Sequence, residues 1–203
     1  MKIALIGITG RVGSRVADEL LRRGHQVTGI ARNPADIVPR PGLEARQGDA
    51  TDPAGLAPLL AGHDAVISAA RFVSTDAKPL LEAVRHAAVP RLLVVGGAGS
   101  LRVAPGVMLI DTADFPDAYK PEARAGVVFL DTLRRETELD WTFLSPSALF
   151  EPGERTGVFR LGDDELLADD EGKSWISMED YAIALVDELE TPRHSRRRYT
   201  VGY

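Results

Sequence analysis

The sequence predicts an α/β fold: a doubly wound parallel sheet with helices on both faces and a small C-terminal cap. Two observations carry this. Short apolar runs recur at Ile3 to Ile8, Val27 to Ile30, Ala65 to Ala70, Leu92 to Val95 and Trp141 to Leu144. Being continuous rather than alternating, they suit strands buried on both faces. The stretches between them have helical spacing, and repeated strand and helix alternation gives parallel strands with right-handed crossovers.

Taken in order, "MKIALIGITG" is a buried strand rather than a leader, because its apolar run is short and ends in glycines and an arginine. Val12, Val16 and Leu20 then recur every four residues and Gly24 follows, which predicts an amphipathic helix with a glycine C-cap. Pro53 to Ala61 and Pro79 to Val89 predict two further helices, the second with Leu80, Val84 and Ala87 on one face. Val127, Leu130 and Leu133 mark a longer helix before the Trp141 strand. After about residue 150 the alternation weakens, and "ERTGVFRLGDDELLADDEGKSWIS" is expected to form hairpin-like pieces capping a site. Ser177 in "SMED" can accept from the N–H near Asp180 and start a helix to about Glu190, with "RRRYTVGY" returning as a last strand.

The 203 residues, 44% of them hydrophobic, suffice for one domain with a sizeable core, so residues 1–203 are expected to form a single unit. A net charge of −6 argues against nucleic acid or an anionic membrane as partner, since both need a positive field, and favours a small molecule. No apolar run reaches the length of about 18 residues needed to span a bilayer. Cysteine is absent, which removes disulfides, thiolate nucleophiles and zinc-thiolate sites and fits a cytoplasmic protein. The four histidines, 25, 63, 86 and 194, lack metal-ligand spacing. Sequence leaves the oligomeric state open.

"GITGRVG" carries the chemistry. Between a strand and a periodic helix, Gly7 permits the tight turn, Gly10 lets a pyrophosphate approach the backbone, and Gly13 lets the helix lie close to the sheet. The helix N-terminus then faces the anion. The spacing is G-x-x-G-x-x-G rather than G-x-G-x-x-G, and no Lys-Ser/Thr follows, which disfavours a nucleoside triphosphate. At the end of the second strand, where an acid would bind the ribose 2′-OH of NAD, stands Arg32. A guanidinium there suits a 2′-phosphate, so NADP(H) is favoured over NAD(H). Arg11 offers a second positive charge. Asp49 in "GDATD" is placed to accept from the adenine amino group, or else serves only as a turn acid. The acidic stretch "GDDELLADDEG" and the basic "RHSRRRY" both read as solvated faces.

With "GITGRVG", "ARNP", "GDATD", "VISAA" and "VVGGAGSL" in this order, nearly the whole chain resembles the atypical short-chain dehydrogenases/reductases. It is most similar to the NAD(P)H-binding, NmrA-like group, which includes flavin and biliverdin reductases. The resemblance implies a Rossmann-type fold in which Gly7, Thr9, Gly10, Arg11, Val12 and Gly13 hold the pyrophosphate and Arg32 the 2′-phosphate. It further implies Asp49 and Ala50 at the adenine, Ser68, Ala69 and Ala70 at the nicotinamide ribose, and Pro146 and Ser147 beside the nicotinamide.

One departure bears on activity. Dehydrogenases of this superfamily use a Tyr-x-x-x-Lys pair in which the lysine lowers the tyrosine pKa for proton transfer. Here Tyr119, Tyr181 and Tyr199 are followed four places on by Ala123, Leu185 and Tyr203. Tyr119 and Lys120 are adjacent and point apart on a helix. The family's catalytic serine falls within "GGAGS", with Ser100 displaced from it. Ser100, Tyr119 and Lys120 are thus the remaining catalytic candidates. The expected functions are an NADPH-dependent reductase of a flavin, quinone or linear tetrapyrrole, whose balancing proton comes from water, or a non-catalytic NADP(H) sensor. A nucleotide-sugar epimerase or dehydratase ranks last.

Overall fold

The computed structural model describes residues 1–203. In chain order the elements are β1 (Lys2–Ile6), α1 (Arg11–Arg22), β2 (Gln26–Ala31), β3 (Leu43–Gln47), α2 (Pro53–Leu60), β4 (Ala65–Ser68), α3 (Ala77–His86), β5 (Arg91–Val95), β6 (Arg102–Ala104), β7 (Val107–Met108), α4 (Lys120–Arg134), β8 (Asp140–Ser145), β9 (Leu149–Glu151), β10 (Arg160–Gly162), β11 (Trp175–Ser177), α5 (Met178–Glu190) and β12 (Arg197–Gly202). An eight-stranded sheet runs β10-β12-β8-β5-β4-β1-β2-β3. Every pairing in it is parallel except β10 with β12. The α/β prediction therefore holds.

Strand alternation sorts the core into two layers. From β1, Ile3 and Leu5 face α1 and α5, with Val16, Leu20, Leu185 and Leu189. Ala4 and Ile6 face the α2, α3 and α4 side, with Leu56, Leu80, Val84 and Leu130. Both faces are covered, which is why the strand sequences are continuously apolar.

The helix signals are matched closely. Gly24, at φ +79°, ends α1 in the left-handed conformation. The Asp52 carboxylate caps α2 by accepting from Gly55 N–H, and the Ser177 hydroxyl accepts from Asp180 N–H at 3.0 Å to start α5.

The region after residue 150 differs from expectation. β10 pairs with β12 and β11 pairs parallel with β9, so they do not form a hairpin with each other. The acidic stretch is not simply solvated: Asp164 pairs with Arg198 and Arg134, and Glu165 with Arg102. Nor is the basic stretch a solvated face throughout, since the Arg198 side chain is only 2% exposed. No helix is long and apolar enough to cross a membrane.

Candidate functional site

The sheet order reverses at β1, whose neighbours β2 and β4 lead away in opposite directions. In open parallel sheets a ligand crevice opens at the carboxyl ends of the strands at such a point. "GITGRVG" sits there. Gly7 turns with φ +81° and donates its N–H to Ile30 O at 3.0 Å. A Cβ on Gly7 would lie 2.8 Å from the Ala69 carbonyl at the end of β4, and one on Gly13 would lie 2.2 Å from Gly7 O. Both glycines are therefore imposed by backbone contact. Gly10 is different: a Cβ there would meet only Gly7 O, at 3.2 Å, and the residue faces solvent.

As N-cap of α1, Gly10 supplies no side-chain acceptor, and the first turn holds no acid. The first N–H groups of a helix have no intrahelical acceptor. Those of Arg11, Val12 and Gly13, with the positive end of the helix dipole, make a cradle for an anion, and exposed Thr9 lies beside it. A dinucleotide pyrophosphate fits this cradle, in which a Cβ would crowd the backbone at two of the three glycines.

Farther along the strand ends, Arg32 follows β2, exposed and in no ion pair. Asp49 lies close enough to feel its charge. The Asp49 Oδ1 accepts from Thr51 N–H at 2.9 Å and Thr51 Oγ1 at 2.8 Å. Those bonds, with a smaller contribution from Arg32, hold its carboxyl below the usual range. One oxygen of Asp49 thus serves the turn. Ala50 and Ser68 are buried, Ala69 and Ala70 half-buried, and Ala69 N–H bonds Ile6 O at 2.9 Å.

Beside this crevice, a cavity of about 570 Å³ opens over the ends of β5 and β8. Its walls come from the Gly96–Ser100 loop, residues 109–127 and residues 146–151, not from the bulk of the chain after 150. Arg11, Ser100, Tyr119, Pro146 and Ser147 line it, whereas the other cofactor candidates lie outside it, along the strand ends and the first turn of α1. Ser147 contributes no free hydroxyl: its Oγ donates to Val201 O at 3.1 Å and the residue is 1% exposed. Lys120 is turned away from the cavity to pair with Asp117 at 2.6 Å. Four residues after Tyr119, where a lysine would complete the pair, Ala123 packs so closely on Gly99 that a Cβ there would lie 2.9 Å from its own. No tyrosine and lysine pair forms.

Three supporting residues escaped the sequence reading. Arg198, beneath the cavity, bonds Asp164 through Nε at 2.7 Å and directs Nη1 to Ser145 Oγ at 3.3 Å and Ser100 Oγ at 3.5 Å. Burial lowers its pKa; Asp164, which burial alone would raise, is held low by the Arg198 guanidinium. The signal was the alternation in "RRYTV", which puts Arg198 opposite the core residues Tyr199 and Val201. Tyr181 donates to Leu144 O at 2.6 Å and accepts from Gly96 N–H at 3.2 Å, fixing the cavity floor. Burial drives its pKa up, so it remains a neutral phenol. Glu122 accepts from Phe72 N–H at 2.7 Å and Val73 N–H at 3.3 Å, tying the loop after β4 to α4. No group of three or more His, Asp or Glu residues is arranged to hold a metal ion.

A family profile described as NAD(P)H-binding matches residues 7–192. The chain belongs to this NAD(P)H-binding family. The match spans every element from the glycine turn through α5, and the NmrA-like resemblance stands with it. Among solved structures, a Burkholderia pseudomallei protein named "putative exported protein" is 49% identical, with a TM-score of 0.92 and full coverage of both chains. A Bacteroides thetaiotaomicron "putative epimerase" is 42% identical, with a TM-score of 0.94 over 100% of this chain and 96% of that one. A Streptococcus pneumoniae "putative NADH-flavin reductase" is 36% identical, with a TM-score of 0.86 over 100% and 99%.

Proposed function

We propose that this member of the family is an NADPH-dependent reductase of a small-molecule acceptor, a flavin, a quinone or a similar ring system. The observation that carries the reading is a largely apolar cavity adjoining the anion cradle with no tyrosine and lysine pair inside it. Gly7, Thr9, Gly10, Arg11, Val12 and Gly13 hold the pyrophosphate. Arg32 pairs with the 2′-phosphate, which favours NADP(H) over NAD(H). Asp49 and Ala50 border the adenine, Ser68, Ala69 and Ala70 the nicotinamide ribose, and Pro146 with the Ser147 backbone the nicotinamide. When bound, the reduced cofactor supplies two electrons and one proton as hydride.

The chain's own residues orient the partners and exclude water, which is where such an enzyme gains rate. A ring acceptor takes its second proton from solvent, so the missing tyrosine is no obstacle. The "putative NADH-flavin reductase" name of one relative supports the flavin-reductase part of this reading, while the preference for NADP(H) rests on Arg32 alone. Interconversion of a nucleotide sugar, by contrast, requires reversible deprotonation of an alcohol, for which the cavity offers no activated tyrosine. The same absence supports a second reading, a redox sensor that binds NADP(H) without turning it over.

Fluorescence titration with NADPH and NADH, followed by NADPH oxidation in the presence of a flavin, a quinone and a tetrapyrrole, tests the proposal. Tighter NADPH binding with turnover of one acceptor is the expected result. Binding without turnover transfers the weight to the sensor, and no binding removes both.

A further inference from the structure

Resting on the reductase reading, we propose that the cavity selects an uncharged, planar aromatic acceptor and rejects anionic acceptors built on the same ring. At about 570 Å³ it is within the range of roughly 300–1,000 Å³ that holds drug-sized ligands. Phe115, Tyr119 and Phe150 present aromatic surface to it, suited to stacking on a flat ring, and the buried Phe72 adds apolar lining. Three carboxylates, Asp114, Glu122 and Glu151, share the lining, and Arg11 is its single cation.

Arg11 opens α1 at the anion cradle, where cofactor phosphates would engage it. Of the three carboxylates Glu122 is offset by Arg71 at 3.5 Å and by the Phe72 and Val73 N–H groups, whereas Asp114 and Glu151 form no ion pair and set the sign of the field; Lys120 is committed to Asp117 and buried Arg198 to Asp164. An incoming acceptor therefore meets a negative field focused by apolar walls. A phosphate, sulfonate or carboxylate on the acceptor would be repelled, whereas a neutral quinone or an unphosphorylated flavin would not. In the reaction the acceptor gains two electrons and one proton as hydride from NADPH, which is oxidised to NADP⁺, and one further proton from water.

Riboflavin and FMN carry the same ring and differ by a phosphate, so quenching of their fluorescence by the NADP⁺-saturated protein isolates the charge. Because a tail could lie outside the cavity, 2-methyl-1,4-naphthoquinone and a ring-sulfonated naphthoquinone, followed calorimetrically, form a second pair. At about 0.1 M salt the neutral member of each pair is expected to bind at least about tenfold more tightly. Near 1 M salt, where the Debye length shrinks from about 10 Å to about 3 Å, the gap should fall below about threefold. Asp114→Asn with Glu151→Gln should narrow it at low salt.

Equal binding within the pairs, or a gap indifferent to both salt and the double variant, would overturn the proposal. Turnover of neutral and anionic acceptors alike would leave the reductase reading intact while removing this inference. Failure to bind or reduce any of the four, with NADPH still bound, would remove both.

Discussion

The proposed preference for NADP(H) rests on Arg32, which follows β2 and forms no ion pair with a carboxylate. A charge-assisted hydrogen bond is worth about 1.5–3 kcal/mol, or about 10- to 150-fold in affinity. Arg32→Ala is expected to weaken NADPH binding by about that factor and leave NADH binding nearly unchanged; fluorescence titration with both nucleotides checks it. Gly13 offers a stability counterpart. An added methyl would lie 2.2 Å from Gly7 O, and backbone cannot yield as a flexible side chain can. Gly13→Ala should therefore cost about 1–3 kcal/mol in urea unfolding, as overpacking does. Such glycines were legible because the chain conformation itself demands them. The engagement of the Ser147 hydroxyl and the supporting place of Arg198 were not, because only the pairing of β8 with β12 turns that hydroxyl to Val201 and places Arg198 under Ser100.

Elements built from local signals were the readable ones: five strands of the sheet as apolar runs, β12 as the returning last strand, α1 with its glycine terminus, and α5 with its Ser177 cap follow from periodicity and capping chemistry. β6, β7, β9, β10 and β11 have two or three residues each, too few to establish a period, and three of them pair with distant partners. The cavity walls between residues 97 and 119 were illegible for the same reason. α5 is also fastened by a contact no local pattern reveals. Glu188, 4% exposed, accepts from Arg91 Nη2 of β5 at 2.8 Å, from Arg193 and His194 N–H at 3.1 and 2.9 Å, and contacts His194 Nδ1 at 2.7 Å. Breaking a buried pair costs about 3–5 kcal/mol, because the remaining charge stays desolvated. Glu188→Gln should lose stability near the lower bound, since Asp140 still pairs with Arg91 at 2.6 Å. Adding Arg91→Met, which also removes the partnerless buried Arg91 Nε, should recover part of the loss in the same unfolding experiment.

Across the whole molecule the two faces of the sheet are held differently. The α2, α3 and α4 side is packed through aromatic rings, with Phe72 against Phe129 and Phe143 at centroid distances of 5.1 and 5.9 Å. The α1 and α5 side is laced by ion pairs as well. Buried Glu19 receives Arg23 and Arg155, each at 2.9 Å or less, while Arg23 reaches Asp187 and Glu190 of α5, and Arg15 pairs with Glu179. For Glu19, Glu179 and Glu190 burial acts to raise the pKa, yet the guanidinium partners, joined at Glu179 by Gly153 N–H, hold each below the ordinary value. A carboxyl depressed in the folded state contributes stability that is fully present above its unfolded pKa, near 4.3 for glutamate, and is lost as pH falls through the folded value. Tm is therefore expected to be nearly flat from about pH 8 to pH 5.5 and to fall steeply below about pH 4.5. Glu19→Gln should flatten part of that fall while lowering Tm at neutral pH, because the guanidiniums of Arg23 and Arg155 lose their shared anion. Thermal melts of both proteins across this range give the measurement. A variant whose acid limb parallels that of the parent would show that the α1 and α5 clamp does not govern acid stability.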